Sequence, residues 1–298
     1  MDRLNKCKLC KNQELRVLNG YEDAGELVRC SRCGMVFANL IPSESILAEH
    51  YGGYGMFAGL SETTIKRYNE LLDKFEKFRV TNKILDVGCG EGFFLEQAKK
   101  RGWEVHGTEY APQYVEACKR KDINMHTGVL DLENYQLGSF DVIVSIEVIE
   151  HLLYPVQELE KFFKLLRSDG LAFLTTPNFN SFSRRMQGKN WSVISYPDHL
   201  NYFTPRTLDQ AMRITGFNNG KINTAGISIS RLQQALFRKK TIPVSENSSK
   251  DACKHEPLDT KWQSRIEHNA VLRITKTGIN KILNLTGSGD GMKAFYQK

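Results

Sequence analysis

Apolar residues recur at helical spacing in one long segment of the first third of the chain. They stand three and four positions apart with charged residues between them: Ile65, Tyr68, Leu71, Leu72, Phe75 and Phe78. Residues at this spacing share one face of a helix. The pattern therefore predicts an amphipathic helix over residues 61–79.

Beyond this helix, short apolar runs alternate with helical patterns. The runs are Lys83–Val87, Glu104–Gly107, Phe140–Ile146 and Leu171–Thr175. The helical patterns between them cover roughly residues 92–101, 112–121 and 155–167. Strands that alternate with helices form a largely parallel sheet with helices on both faces. The sequence thus predicts a doubly wound α/β fold.

The last third continues the alternation less regularly. Helices are predicted over Arg206–Gly216 and Lys261–Leu285, and a strand over Lys221–Ser228. The segment Thr241–Thr260 is rich in Ser, Pro, Asn and charge, which is typical of a loop.

Four of the seven cysteines form two close pairs near the N-terminus: Cys7 with Cys10, and Cys30 with Cys33. Two such pairs supply the four thiolates of a tetrahedral Zn²⁺ site. Because all four ligands are cysteines, no coordination position stays open for a substrate, and the predicted zinc is structural. The sequence predicts a zinc ribbon over residues 1–40.

The stretch between the two cysteine pairs carries the pattern of a small β-hairpin. Leu15–Leu18 and Glu26–Arg29 read as short strands, and Asn19-Gly20 between them is a hairpin signal. Free cysteines and a redox pair are the alternatives to a metal site.

The chain has 298 residues, of which 41% are hydrophobic and 25% charged, as expected for a globular protein. Its net charge of +7 lies entirely in residues 231–298, which hold 13 basic and 6 acidic side chains. We expect a cytoplasmic protein, since the N-terminus lacks a signal peptide and no stretch is long and apolar enough to span a membrane. Peripheral membrane contact by the basic C-terminal helix is an alternative to its packing on its own domain.

The first predicted strand ends in a glycine-rich turn, Asp86-Val87-Gly88-Cys89-Gly90-Glu91-Gly92. Glycines there let the backbone bend sharply and approach a ligand before a helix begins. A dinucleotide fingerprint needs a small residue where this chain has Phe93, and a carboxylate at Asp86 suits a positively charged ligand. The turn therefore disfavours a dehydrogenase.

This turn resembles the first motif of class I S-adenosylmethionine-dependent methyltransferases. The resemblance extends over residues 80–218 through five further segments: His106–Tyr110, Asp131-Leu132, Phe140–His151, Leu166–Leu171 and Asp198–Pro205. The most similar subgroup is the ubiquinone-biosynthesis O-methyltransferase type. The resemblance implies a seven-stranded Rossmann-like sheet that Met292–Tyr296 closes as an antiparallel strand, with a helical insertion at about residues 229–288.

The resemblance also implies a cofactor site for S-adenosylmethionine. The backbone at Gly88 and Gly90 would run past the methionine and ribose portions of the cofactor, beside the small loop residue Cys89. Asp86 would order the loop near the methionyl ammonium. Glu109 would accept hydrogen bonds from both ribose hydroxyls, and Asp131 would take the adenine amine. Three apolar or aromatic residues complete the predicted contacts: Tyr110, Leu132 and Ile146.

A cluster of acids and histidines follows the third predicted strand. Glu147, Glu150 and His151 would share a face if their turn is helical, and His199 lies further along the chain. One interpretation makes His151 or His199 a general base that removes a hydroxyl proton. A second makes the cluster the ligands of a divalent cation such as Mg²⁺, and a third makes the acids caps of the next helix.

The sequence thus predicts three parts: a zinc ribbon, a linker with a lid helix over 41–79, and a methyltransferase domain over 80–298. We expect methyl transfer to a small-molecule or saccharide acceptor, at oxygen. The alternatives are an RNA methyltransferase and a binding module that retains the fold without chemistry. The absence of an aromatic-basic strip argues against nucleic acid. The sequence does not determine the oligomeric state.

Overall fold

A computed structural model describes residues 2–43, 45–47, 50, 55–56, 59–227 and 270–298. The strands are β1 Leu15–Val17, β2 Leu27–Cys30, β3 Val36–Ala38, β4 Lys83–Val87, β5 Glu104–Glu109, β6 Asn124–Thr127, β7 Phe140–Ile146, β8 Leu166–Pro177, β9 Asn201–Tyr202, β10 Asn218–Ala225 and β11 Gly291–Gln297. The α-helices are α1 Glu62–Phe75, α2 Phe93–Lys100, α3 Pro112–Lys119, α4 Pro155–Leu165, α5 Phe182–Gln187, α6 Pro205–Ile214 and α7 Ala270–Thr286. Short 3₁₀ turns cover Glu22–Ala24, Glu76–Phe78, Leu132–Asn134 and Gly188–Asn190.

The central sheet has seven strands in the order β10-β11-β8-β7-β4-β5-β6. Strands β4 to β8 pair in parallel, while β11 lies antiparallel between β10 and β8. The chain order reverses at β4, from which β5 and β6 extend to one side and β7 and β8 to the other. This confirms the predicted doubly wound sheet and its antiparallel closing strand.

Helices cover both faces of the sheet, because each buries one apolar stripe against it. The stripe of α1, which ends in Leu72 and Phe75, packs with α2 on one face. Side chains of α4 and α6 fill the core on the other face, with Phe162 and Met212 fully buried. The predicted amphipathic helix is confirmed and begins at the side-chain cap of Ser61.

Strands β1, β2 and β3 form a second, antiparallel sheet, and β9 pairs with β3 as its fourth strand. The connection between β1 and β2 spans residues 18–26 with a 3₁₀ turn, so Asn19-Gly20 is not a two-residue hairpin turn, as its signal suggested. Buried ribbon residues, among them Cys7 and Phe37, belong to the same apolar core as Phe203 beyond β9. The ribbon is therefore packed into the molecule.

Two predicted segments lie partly outside the described residues. The linker over 41–79 has gaps at 44, 48–49, 51–54 and 57–58, and most of the proposed insertion lies outside because 228–269 are not described. No helix in the described part has the length and apolar character needed to cross a membrane.

Candidate functional site

The glycine turn after β4 is an open cradle at the carboxyl edge of the sheet. Gly88 and Gly90 have φ of +73° and +53°, a region that side chains with a Cβ disfavour. The amides of Gly88 and Cys89 both donate to Thr108 O, at 2.9 and 3.0 Å. A Cβ on Gly90 would meet no atom of the described residues within 4 Å. Gly90 therefore borders space that a ligand can enter.

Glu109 ends β5 beside this turn, and backbone amides hold its carboxylate. Oε2 accepts from the Gly90 amide at 2.9 Å, and Oε1 accepts from the amides of Tyr110 and Ala111 at 2.8 and 2.9 Å. A carboxylate offers about four acceptor sites. Three are used here, so a grip on two ribose hydroxyls would displace one of these amides.

Asp86 is buried beneath the turn, with 3% of its surface exposed. Its Oδ1 atom has no hydrogen-bond partner among the described residues. Burial raises the pKa of Asp86 well above its usual value, and the nearby Cys118 and Glu109 add to this effect. A buried carboxylate with an unused oxygen is suited to a polar or cationic ligand group.

The remaining predicted cofactor residues lie along the same edge. Tyr110 is half exposed, and Asp131 caps the 3₁₀ turn Leu132–Asn134 by accepting from Glu133 N at 3.1 Å. Leu132 and Ile146 are partly buried against the core clusters on opposite faces of the sheet.

Cys89 is an inert thiol in this arrangement. Its sulfur lies 3.9 Å from the sulfur of Cys118. That contact and burial raise the pKa of Cys89 well above its usual value, so the reactive thiolate is disfavoured.

The acid–histidine cluster after β7 is not helical. Residues 147–151 form a bend and a turn, and Glu147 has a φ of +55°. The Oε1 atom of Glu147 accepts from Thr175 Oγ1 at 2.6 Å. The shared helical face that the spacing suggested is therefore absent. Tyr154 precedes helix α4 and makes no side-chain cap, and neither oxygen of Glu150 has a hydrogen-bond partner among the described residues, so Glu150 does not cap this helix.

Glu150, His151 and His199 do come together. Each offers a ligand or donor atom within 4.8 Å of the others, and the two imidazole rings meet edge to face at 4.7 Å between centroids. Glu150 is 2% exposed, and neither of its oxygens has a hydrogen-bond partner among the described residues. Burial, followed by the charge of Glu147, raises the pKa of Glu150 to about 8.

Asp198 links the histidines of this cluster. Its Oδ1 atom lies 3.0 Å from His151 Nδ1 and 3.2 Å from His50 Nε2, and its Oδ2 atom lies 3.7 Å from His199 Nε2. Burial alone would raise the pKa of Asp198, but the histidines hold it well below its usual range. Burial lowers the pKa of His151, while Asp198 and Glu150 more than offset this effect, so it is raised.

The sequence reasoning missed Asp198 and His50 as members of this cluster. An acid directly before His199 was a usable signal for Asp198, since carboxylates commonly orient imidazoles. His50 stands in a linker far along the chain from both partners, and no local pattern points to it.

The cradle and the cluster adjoin each other. A Cβ on Gly88 would come within 2.6 Å of Val148 Cγ2, so the glycine turn packs directly on the segment that carries Glu150 and His151. This contact arises because β4 and β7 are parallel neighbours in the sheet, so their carboxyl ends lie side by side.

The four paired cysteines also come together. Cys7 and Cys33 sulfurs are 3.5 Å apart, as are those of Cys10 and Cys30, and all four lie within 4.8 Å of one another. Tetrahedral zinc with Zn–S bonds of about 2.3 Å places sulfurs about 3.8 Å apart. A hydrogen bond from the Cys33 thiol lowers the pKa of Cys7 to about 5, which favours the thiolate form that metals bind.

Comparisons with known proteins agree with this architecture. A family model described as a methyltransferase domain matches residues 60–222, more than half of the chain. Ubiquinone biosynthesis O-methyltransferases of Psychrobacter cryohalolentis and Psychrobacter arcticus are each 27% identical, over 58% and 62% of this chain and 80% and 84% of theirs. A SAM-dependent methyltransferase structure from Archaeoglobus fulgidus superposes with a TM-score of 0.52 at 20% identity, over 86% of this chain and 100% of that chain. That likeness shows a common fold.

Proposed function

Because the chain belongs to the methyltransferase domain family, we propose that this S-adenosylmethionine-dependent enzyme methylates a hydroxyl oxygen of a small-molecule or saccharide acceptor, with His151 as the general base. The observation that carries the proposal is the placement of the Asp198–His151 pair against the glycine cradle through Val148. The relatives are named for O-methylation in ubiquinone biosynthesis, which supports an oxygen acceptor on a small molecule.

The residues at the carboxyl edge fit this cofactor. Asp86 offers a buried, unused carboxylate oxygen, and the space beside Gly90 admits a ligand. Glu109 would hold the ribose and Asp131 the adenine amine, with Tyr110 and Leu132 against the ring. When bound, S-adenosylmethionine supplies a methyl group on a positively charged sulfur, already activated for transfer to an oxygen.

His151 has the geometry of an oriented base. Its Nδ1 atom lies 2.9 Å from the Asp198 carbonyl oxygen and 3.0 Å from the Asp198 carboxylate, so Nδ1 donates a proton to these oxygens and Nε2 carries the lone pair. Nε2 takes the proton of the acceptor hydroxyl, and the Asp198 carboxylate stabilises the imidazolium that results. Such a base contributes about 10²–10⁴-fold to the rate.

A magnesium ion fits this cluster poorly. Two of the three converging donors, His151 and His199, are imidazole nitrogens, whereas Mg²⁺ takes oxygen ligands in octahedral geometry. We therefore propose that the reaction proceeds without Mg²⁺ and expect turnover in Mg²⁺-free buffer to equal turnover with Mg²⁺ added.

We also propose that the four ribbon thiolates hold a structural Zn²⁺. The separations of the four sulfurs fit the ion, and four sulfur ligands leave no coordination site for substrate. The ribbon's three strands are three or four residues long, so a metal would supply much of its folding free energy.

The test combines two variants with an acceptor panel. Methyl transfer from radiolabelled S-adenosylmethionine is measured to phenols, saccharides, amines and RNA. We expect transfer to a hydroxyl acceptor, and His151→Ala should lower kcat about 10²–10⁴-fold while the cofactor Kd changes less than about twofold. His106→Gln, on β5 and paired with Glu104, is the matched control and should keep activity.

Three results would contradict the proposal. Full activity of His151→Ala would reject the base, and exclusive transfer to amines or RNA would reject the acceptor class. Cofactor binding with no transfer to any acceptor would favour a binding module instead.

A further inference from the structure

We infer that Asn201 is a positioning residue that holds the turn bearing Glu150 and His151, and that the cysteine ribbon (residues 1–40) holds Asn201 in place. The inference rests on the proposed function, because it assigns a role to residues that support His151. It gives the ribbon a part in the methyltransferase reaction that its distance along the chain does not suggest.

The side chain of Asn201 spans the catalytic turn. Its Nδ2 atom donates to the carbonyl oxygens of Ile149, Glu150 and Leu152 at 3.2, 3.3 and 2.6 Å. These carbonyls lie on both sides of His151. Asn201 is 2% exposed, so water does not compete for these bonds.

The backbone around Asn201 holds the same turn. The amides of Leu200 and Asn201 both donate to Glu150 O, at 2.8 and 2.9 Å. The Tyr202 hydroxyl donates to His199 O at 3.1 Å, so β9 also fixes the second histidine. Every hydrogen bond of this set connects β9, or Leu200 just before it, to a residue of the acid–histidine cluster or its immediate neighbour.

The ribbon holds β9 from the other side. Strand β3 pairs with β9, with Val36 opposite Tyr202 and Phe37 opposite Asn201. The carbonyl of Leu200 accepts from the Ala38 amide at 3.0 Å and from Lys8 Nζ at 3.3 Å.

Lys8 sits next to Cys7 in the chain, and its Nζ atom lies 5.6 Å from the Phe37 ring centroid. It is 5% exposed, so a buried amine of the ribbon donates to the carbonyl that precedes Asn201.

The cofactor edge does not share this support. Gly88, Gly90 and Glu109 belong to β4, β5 and their loops, and β9 pairs with neither strand in the described sheets. Loosening β9 should therefore impair the catalytic turn and spare cofactor binding. This separation is what the experiment measures.

The first test uses Asn201→Asp, which keeps the shape of the side chain but removes the Nδ2 donor. We expect kcat to fall at least about tenfold, the cofactor Kd to stay within about twofold, and unfolding in urea to remain cooperative. Asn201→Ser retains one donor and should recover part of kcat. Asn218→Asp is the matched control, because Asn218 also donates to a carbonyl, that of Gly216, but on the outer strand β10.

The second test needs no activity. Hydrogen exchange is followed by mass spectrometry in peptides covering residues 147–153 and 86–92. We expect faster exchange in 147–153 for Asn201→Asp, and also for Cys33→Ser with its metal content measured in parallel. Exchange in 86–92 should match that of the unmodified protein in both variants.

The outcomes separate the two proposals. Unchanged exchange in 147–153, unchanged kcat for Asn201→Asp, or parallel loss of cofactor binding would overturn the role of Asn201. Faster exchange after Asn201→Asp but not after Cys33→Ser would overturn the role of the ribbon. An active His151→Ala enzyme would reject the base assignment while leaving the exchange result intact.

Discussion

Two glycines that share a positive-φ backbone conformation should respond differently to substitution by alanine. Gly90 and Gly138 have φ of +53° and +67°, and a Cβ on either would meet no atom of the described residues within 4 Å. The Gly90 amide donates to Glu109 Oε2, and the Gly138 amide donates to Lys164 O. Gly90 lies in the cradle, whereas Gly138 precedes the amino end of β7, at the opposite edge of the sheet.

The expected magnitudes follow from this comparison. An alanine held at positive φ costs about 1–2 kcal/mol, so Gly90→Ala and Gly138→Ala should lower the free energy of unfolding by similar amounts. Only Gly90→Ala adds a methyl group to the cofactor space. Crowding of about 1–3 kcal/mol corresponds to a Kd for S-adenosylmethionine that is roughly 5- to 150-fold weaker.

The assay is isothermal titration calorimetry with S-adenosylmethionine and its demethylated product, alongside urea unfolding without ligand. Gly138→Ala should bind both compounds like the unmodified protein. If Gly90→Ala binds as tightly as Gly138→Ala, the cofactor does not occupy the space beside Gly90. Equal weakening in both variants would mean that strain alone, and not contact, lowers the affinity.

Three further changes test other parts of the site and fold. Asp198→Asn should lower kcat and move the rising acid limb of the kcat/KM profile to lower pH. The reason is that His151 acts in its neutral form and Asp198 raises the pKa of His151. An acid limb at the same pH in both proteins would contradict this. Glu109→Gln should weaken cofactor binding about 10- to 150-fold in titration calorimetry, as loss of a charged hydrogen bond costs about 1.5–3 kcal/mol; unchanged affinity would remove Glu109 from the ribose site. Asp141→Asn should lower the free energy of unfolding by about 3–5 kcal/mol, because it leaves the partly buried Arg167 without its carboxylate partner. Urea unfolding measures this loss, and a loss below about 1 kcal/mol would contradict the reasoning. Burial raises the pKa of Asp141, but hydrogen bonds from the Thr81 amide and Arg167 outweigh it, so the stability that Asp141 contributes should be present above about pH 4 and lost as pH falls through its lowered pKa.

The sequence predicted the parts of the fold that local patterns specify. Strands β4 and β7 are buried apolar runs, β5 is a partly buried one, and helical patterns lie between them, so their existence and order followed from periodicity. Strand β6, Asn124–Thr127, was missed because it is short, half exposed and lacks an apolar run. Strand β9 has two residues and exists only because β3 lies beside it, which no local pattern can reveal.

The candidate site divides in the same way. The glycine turn and Glu109 are positioned by the strands that carry them, and the resemblance to methyltransferases had already grouped them. The acid–histidine cluster depends on a bend at Glu147 and on contacts with Asp198, His50 and β9, which are distant along the chain from Glu150 and His151. The spacing would place Glu147, Glu150 and His151 on one face only if their turn were helical, and the structure has a bend and a turn there.

The most direct measurement of the central claim is an experimental structure of the enzyme with S-adenosylhomocysteine. The account predicts an adenosine between Glu109 and Asp131, a methionyl group over Gly88 and Gly90, and a sulfur facing the space in front of His151 Nε2. A nucleoside bound elsewhere, or a sulfur directed away from the Glu150–His151 turn, would contradict the account.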